Sequence, residues 1–179
     1  MIDPASGPFL FDTSAESWLV RTQDPFVERW FSEYLSRHRV HVSAITVAER
    51  IRGYALMRER APVRRSAGTD AARAAYLASL GRVWPLDSAV AVVAGEIMAL
   101  LPNPPTPPRR THRLVESRQE RLVRWRFDAM IAATGVVAGM PLIHHNAADF
   151  EPIRSAVELA PNRFPKLGPL GLVRCTSVV

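Results

Sequence analysis

The residues from Ala129 to Ala138 are all apolar apart from Thr134 and Gly135. A run of this kind reads as a helix buried on nearly every side. Asp128 stands at its head. A buried carboxylate without a partner is strongly disfavoured, so Asp128 requires a cation, a set of hydrogen-bond donors or water.

The rest of the chain alternates short β-like runs with helical ones. "PFLFD" (8–12) is a short apolar run that ends in an acid. Residues 24–38 carry apolar side chains at 26, 27, 30, 31, 34 and 35, which is helical spacing. "VHVSA" (40–44) predicts a strand and 45–60 a helix, with 61–70 a polar loop and 71–80 a further helix. "RVWPL" (82–86) predicts a strand, and 87–101 a helix capped by Asp87 or Ser88. After an insertion come the 128–138 helix, the strand 140–145, a short helix from Ala147 and a last strand at 170–175. Strand and helix in alternation predict an α/β fold with a mainly parallel sheet between helical layers.

A chain of 179 residues is most simply one domain. No apolar run approaches the roughly 20 residues of a membrane span, and "MIDPASGPFLFD" lacks the basic head of a secretory signal. The single cysteine, Cys175, excludes an internal disulfide and a cysteine-rich metal site, so a cytoplasmic location is expected. The formal charge is +6, carried almost wholly by arginine, with Lys166 the only lysine. That balance fits a polyanionic partner, nucleic acid first. Arginine-rich usage from a GC-rich genome explains the same number, so charge alone decides little.

Residues 102–126 stand apart as a Pro/Arg-rich insertion. The first half has five prolines and excludes helix and interior strand. The second half holds Arg109, Arg110, Arg113, Arg118, Arg121, Arg124 and Arg126 against Glu116 and Glu120. It predicts an extended loop turning into a basic helix that leads to Asp128.

Four acids fall just after predicted strands or near helix starts: Asp12, Glu49, Asp128 and Asp149. In open parallel sheets ligands bind beyond the carboxyl ends of the strands, so acids distant in sequence converge there. Clustered carboxylates are stable only with protons or hard cations. Each acid also has a plain structural explanation. Asp12 closes a turn, with Thr13 and Glu16 at capping-box spacing; Thr46 and Glu49 have the same spacing. Asp128 pairs with Arg124 one turn earlier, and Asp149 caps the helix that follows.

Taken together, "FLFDTS", "VSAITVAERIRG", "RVWPLDSAVAVVAGEI", "DAMIAATGVVAGMPLI" and "HHNAADF" resemble the PIN-domain ribonucleases, especially the VapC-type toxins of toxin–antitoxin pairs, over about residues 9–153. The resemblance implies a three-layer α/β/α fold. It places Asp12, Glu49 and Asp128 on the three acids that hold Mg²⁺ or Mn²⁺, and Asp149 on a fourth, more variable acid. Thr13 and Ser14 match the polar pair after the first acid, and Asn146 matches the Asn that orders the nearby loop. The chain departs from the pattern at His144-His145, where Thr-Arg is usual, and in the long insertion before Asp128.

The activity so implied is divalent-metal-dependent endoribonuclease cleavage of RNA, with a small antitoxin protein and a second copy of the chain as partners. A solitary RNA-processing nuclease and a non-catalytic RNA-binding module are the alternatives. Arg118, Arg121 and Arg124, spaced by three, form a candidate basic lip for the RNA backbone, or else a solvated or partner-docking face. His144 and His145 either contact RNA or simply end a strand. Trp30, Phe31 and Tyr34 on the 24–38 helix are a candidate dimer surface, or else core.

Overall fold

The computed structural model describes residues 2–60, 62–108, 115–164 and 169–175, with backbone alone at 63–65. Its centre is a five-stranded sheet, all parallel: β1 (Leu10–Phe11), β2 (Val40–Ser43), β3 (Leu80–Trp84), β4 (Leu142–His144) and β5 (Leu172–Arg174). The spatial order is β3-β2-β1-β4-β5. The chain therefore builds outward to one side of β1 and later returns to its other side. The crevice where the direction reverses lies at the carboxyl ends of β1 and β4.

Strand alternation sorts the core into two halves. Leu10 and Leu142 face one way, toward α5 (Ser88–Leu100), α6 (Arg118–Ala138) and α7 (Ala147–Leu159). Phe9, Phe11 and Ile143 face the other way, toward α1 (Thr13–Arg21) and α2 (Pro25–Arg37). Successive side chains of a strand point to opposite faces, so two-residue β1 feeds both cores. The first core includes fully buried Trp125, Ile97 and Ile131. Truncating one such side chain, as in Ile131→Ala, costs roughly 2–5 kcal/mol. Helix α3 (Ala44–Arg60) packs on α4 (Val63–Ser79) and reaches both α1 and α6. Among the described residues no helix is long and apolar enough to cross a membrane.

Four expectations are corrected. The 61–70 loop is helical from Val63, because its Arg and Ala residues favour helix and its one glycine, Gly68, stands in open space. β3 begins at Leu80 and stops before Pro85, which has no N–H to give the ladder. The helix holding Asp128 does not start there. It starts at Arg118 and runs 21 residues, closed by Gly139 in the left-handed region at φ 62°. The α2 aromatics are core: Trp30 and Tyr34 are buried and Phe31 is partly so. The Tyr34 hydroxyl accepts from the Phe9 N–H at 3.2 Å and lies 3.1 Å from the Arg39 carbonyl, to which it donates. These residues are therefore not a dimer surface.

Candidate active site

Asp12 follows the last residue of β1 and caps α1. Its Oδ1 accepts the Ala15 N–H at 2.6 Å, and its Oδ2 accepts the Ser14 hydroxyl at 2.7 Å. The His145 backbone N–H also points to it. Burial nonetheless dominates and, with the nearby Glu49 charge, pushes the Asp12 carboxyl up to about 6 despite those donors.

Glu49 sits in the second turn of α3. It does not complete a capping box with Thr46, because Ser43 takes that work: its Oγ accepts the Thr46 N–H at 3.0 Å. Glu49 instead receives the Thr13 hydroxyl from α1. Nor does Glu16 cap α1 with Thr13; it pairs with Arg50 at 3.0 Å.

Asp128 is the eleventh residue of α6, so the helix N-terminus does nothing for its charge. The helix begins earlier because Leu122 and Trp125 continue the apolar stripe. In addition, Ser117 and Glu120 form a capping box, with the Ser117 N–H on Glu120 at 2.8 Å and the Glu120 N–H on Ser117 Oγ at 3.2 Å. The Asp128 Oδ2 is closed off from solvent and, among the described residues, has no hydrogen-bond partner. Burial, then the charges of Asp149 and Asp12, raise its carboxyl well above the ordinary range; Arg124 opposes them, and Glu49 adds to them. The four predicted acids are thus brought within electrostatic reach of one another.

Asp149, in the first turn of α7, is fully buried. Its Oδ1 accepts the Thr106 hydroxyl at 2.6 Å. Its Oδ2 accepts Asn146 Nδ2 at 2.6 Å and Arg124 Nη1 at 2.5 Å. Arg124 also donates to Glu116 at 2.9 and 3.1 Å. The expected Arg124–Asp128 pair is therefore replaced by Arg124–Asp149, and Asn146, not Asp149, stands at the head of α7.

Among the described residues no three His, Cys, Asp or Glu side chains are gathered into a ready metal-binding group. The donor chemistry still fits a hard divalent cation. Three carboxylates, from Asp12, Glu49 and Asp128, repel one another, and one buried oxygen is left without a proton donor.

The predicted RNA contacts divide. Arg118 is exposed, as is Arg126. Arg121 is partly buried and donates to the Thr106 carbonyl at 3.3 Å. The face that Arg121 and Arg124 share meets the 102–108 segment, so those two do not form an open lip. Arg109, Arg110 and Arg113 lie outside the described residues. His144 is wholly buried, with its ring against Phe150 at 5.2 Å and both nitrogens unpartnered among the described residues. It ends β4 and is not available to RNA. Its burial pushes the imidazole down to about 4. His145 is exposed and stacks on Trp18, ring centres 5.7 Å apart. Thr106 and Glu116 were not among the predicted site residues. The Ser117-x-x-Glu120 spacing was the available signal that the helix starts early and carries Arg124 inward.

A separate groove of about 680 Å³ lies among α1, α2, α3 and α4, bordered by Val20, Phe31, Leu35 and Tyr76. Arg50 crosses it, held by Glu16 and lying 5.4 and 5.1 Å from the Tyr54 and Tyr76 ring centres.

Residues 9–154 match the PIN domain. The chain belongs to the PIN domain family. Among solved structures this PIN chain is similar to FitAB bound to an IR36 DNA fragment, at 22% identity over 94% of this chain and 95% of the other, TM-score 0.61. It is similar to FitAcB from Neisseria gonorrhoeae, at 19% identity over 94% and 99%, TM-score 0.61. VapBC-1 from nontypeable Haemophilus influenzae is a further likeness, at 17% identity over 94% and 98%, TM-score 0.60. At these identities the likeness is one of fold. No curated protein matches the sequence. PIN domains are generally nucleases, which supports hydrolysis of nucleic acid as the class of chemistry.

Proposed function

We propose that the chain is a divalent-metal-dependent endoribonuclease and the toxin of a toxin–antitoxin pair. The observation that carries the nuclease reading is that Asp12, Glu49 and Asp128 feel one another's charge beside the carboxyl ends of β1 and β4, with Asp12 and Asp128 both raised and Asp128 Oδ2 unpartnered among the described residues. These three would hold Mg²⁺ or Mn²⁺, with Asp149 beside them. When bound, such an ion supplies Lewis-acid polarisation of a phosphoryl oxygen and lowers the pKa of water. The protein's own groups do the positioning. Ser14, Ala15 and the His145 backbone fix Asp12, and Thr13 aims Glu49. Buried Cys175, its thiol pushed up to about 12, is unsuited to attack, and water activated by the bound ion would be the nucleophile. Exposed Arg118 and Arg126, within a chain of net charge +6, provide contacts for the RNA backbone.

The toxin reading is supported by FitAB and VapBC, which are toxin–antitoxin complexes. An antitoxin segment would occupy the α1–α4 groove, its apolar side chains on Val20 and Leu35 and an acidic one near Arg50. A cytoplasmic location and a homodimer belong to the same proposal; Phe26 is the exposed apolar side chain that the groove leaves on α2.

The deciding experiment is RNA cleavage by purified protein with Mg²⁺ or Mn²⁺. Cleavage should stop with a chelator and be absent in Asp128→Asn. Cleavage by Asp128→Asn at the wild-type rate would refute the assignment.

A further inference from the structure

Asp128 and Asp149 are neighbours of the same chemical type with opposite surroundings. Asp128 Oδ2 has no partner among the described residues. Asp149 has three: Thr106 on one oxygen, Arg124 and Asn146 on the other. A carboxylate offers about four acceptor positions, so three of those on Asp149 are taken and its Oδ2 is full. One of the three partners is a guanidinium, which stays charged at any working pH. The cation that this carboxylate needs is already supplied by the chain. A divalent ion on the same group would meet Arg124 at close range, in a pocket where the two side chains are 15% and 1% exposed and solvent screens little.

We propose that Asp149 is a positioning residue and not a metal ligand, and that Arg124 limits the acidic site to one divalent ion, held by Asp12, Glu49 and Asp128. This rests on the metal-dependent reading above. Arg124 has a second duty in the same geometry. It bridges Asp149 to Glu116, and Thr106 closes the bridge from the other side. Thr106 and Glu116 stand on either side of residues 109–114, in the connection between α5 and α6. The Arg124–Asp149 pair therefore fastens both described ends of that connection to the site.

The test counts Mn²⁺ bound to the full-length protein, from the electron paramagnetic resonance signal of the free ion. Wild type should bind one ion per chain, and Asp128→Asn none. Asp149→Asn should keep one ion, weakened about tenfold as for other groups outside the ligand set. Arg124→Met should bind two ions, because Asp149 is released, and Arg124→Lys should return the count to one. If Asp149→Asn abolishes binding as Asp128→Asn does, Asp149 is a ligand and the proposal is wrong. The Asp149→Asn result decides this even if Arg124→Met does not fold. Two ions on the wild type would also overturn it. No ion on the wild type would instead remove the metal-dependent reading, and this inference with it.

Discussion

Thr13 donates its hydroxyl to Glu49, joining the first turn of α1 to the second turn of α3. Thirty-six residues apart in sequence, the two are brought together because β1 and β2 lie side by side and release their helices at the same edge. Glu49 is partly exposed, so its direction depends on this contact.

Thr13→Val should therefore lower Mn²⁺ affinity by about 10- to 100-fold, the usual effect of removing a group that orients a ligand. Thr13→Ser should restore it. Isothermal titration at neutral pH reads the difference; equal affinity in Thr13→Val would show that Glu49 is held by something else.

Asp128→Asn should separate stability from activity. At neutral pH the Asp128 carboxyl either stays charged among other carboxylates or takes up a proton that the unfolded chain does not hold. Asparagine avoids both costs. The metal-free variant should be more stable than wild type, while RNA cleavage disappears. Urea unfolding without metal measures it, and a destabilised variant would show that Asp128 has a partner in solution.

Acid should uncouple the metal from the fold. The Asp12 carboxyl is raised from 3.8 to about 6, so the folded chain binds more protons than the unfolded one between those values. In the metal-free protein this group's contribution to stability is full below 3.8 and is lost as pH rises to about 6. A divalent ion competes with that proton. The rise in melting temperature caused by Mn²⁺ should be present near pH 8 and fade as pH falls through about 6. An increase that holds down to about pH 5 would place the ion on groups other than Asp12.

His144 has the opposite sign. Its imidazole is lowered from 6.5 to about 4, so the folded chain binds fewer protons than the unfolded one across that range. Its contribution to stability is present above 6.5 and is lost as pH falls toward 4. His144→Leu removes the loss, and should make the protein about 2 kcal/mol more stable than wild type near pH 5, with a smaller difference near pH 8. A difference independent of pH would mean that His144 is hydrated.

Much of the fold was legible because the core pattern is strong. The apolar runs at 8–12, 40–44 and 140–145 are short, and the structure makes all of them parallel strands. The four acids were legible as a group because Asp12, Glu49 and Asp149 follow strands and Asp128 leads into the apolar run of a core helix. The partners of those acids were not. Arg124 is one turn from Asp128, and local spacing favours that pair; the structure gives it to Asp149, on another helix, because the connection between α5 and α6 folds back with Thr106 and Glu116. Helical phase likewise put Trp30 and Tyr34 on one face without saying whether that face meets the sheet or solvent.

The capping box at Ser117 resets the helix register eleven residues before Asp128, a distance of about 16 Å along the axis. Whatever the chain does between Leu100 and Ser117, the same rod begins at the same residue and carries Asp128 to the same place. Residues can be gained or lost in that connection without displacing the central acid, and among the described residues the contacts of Thr106 and Glu116 are the ones that reach the site and feel the change. Ahead of Ser117 length can drift while the acid stays fixed; past it, every added residue would turn Asp128 away.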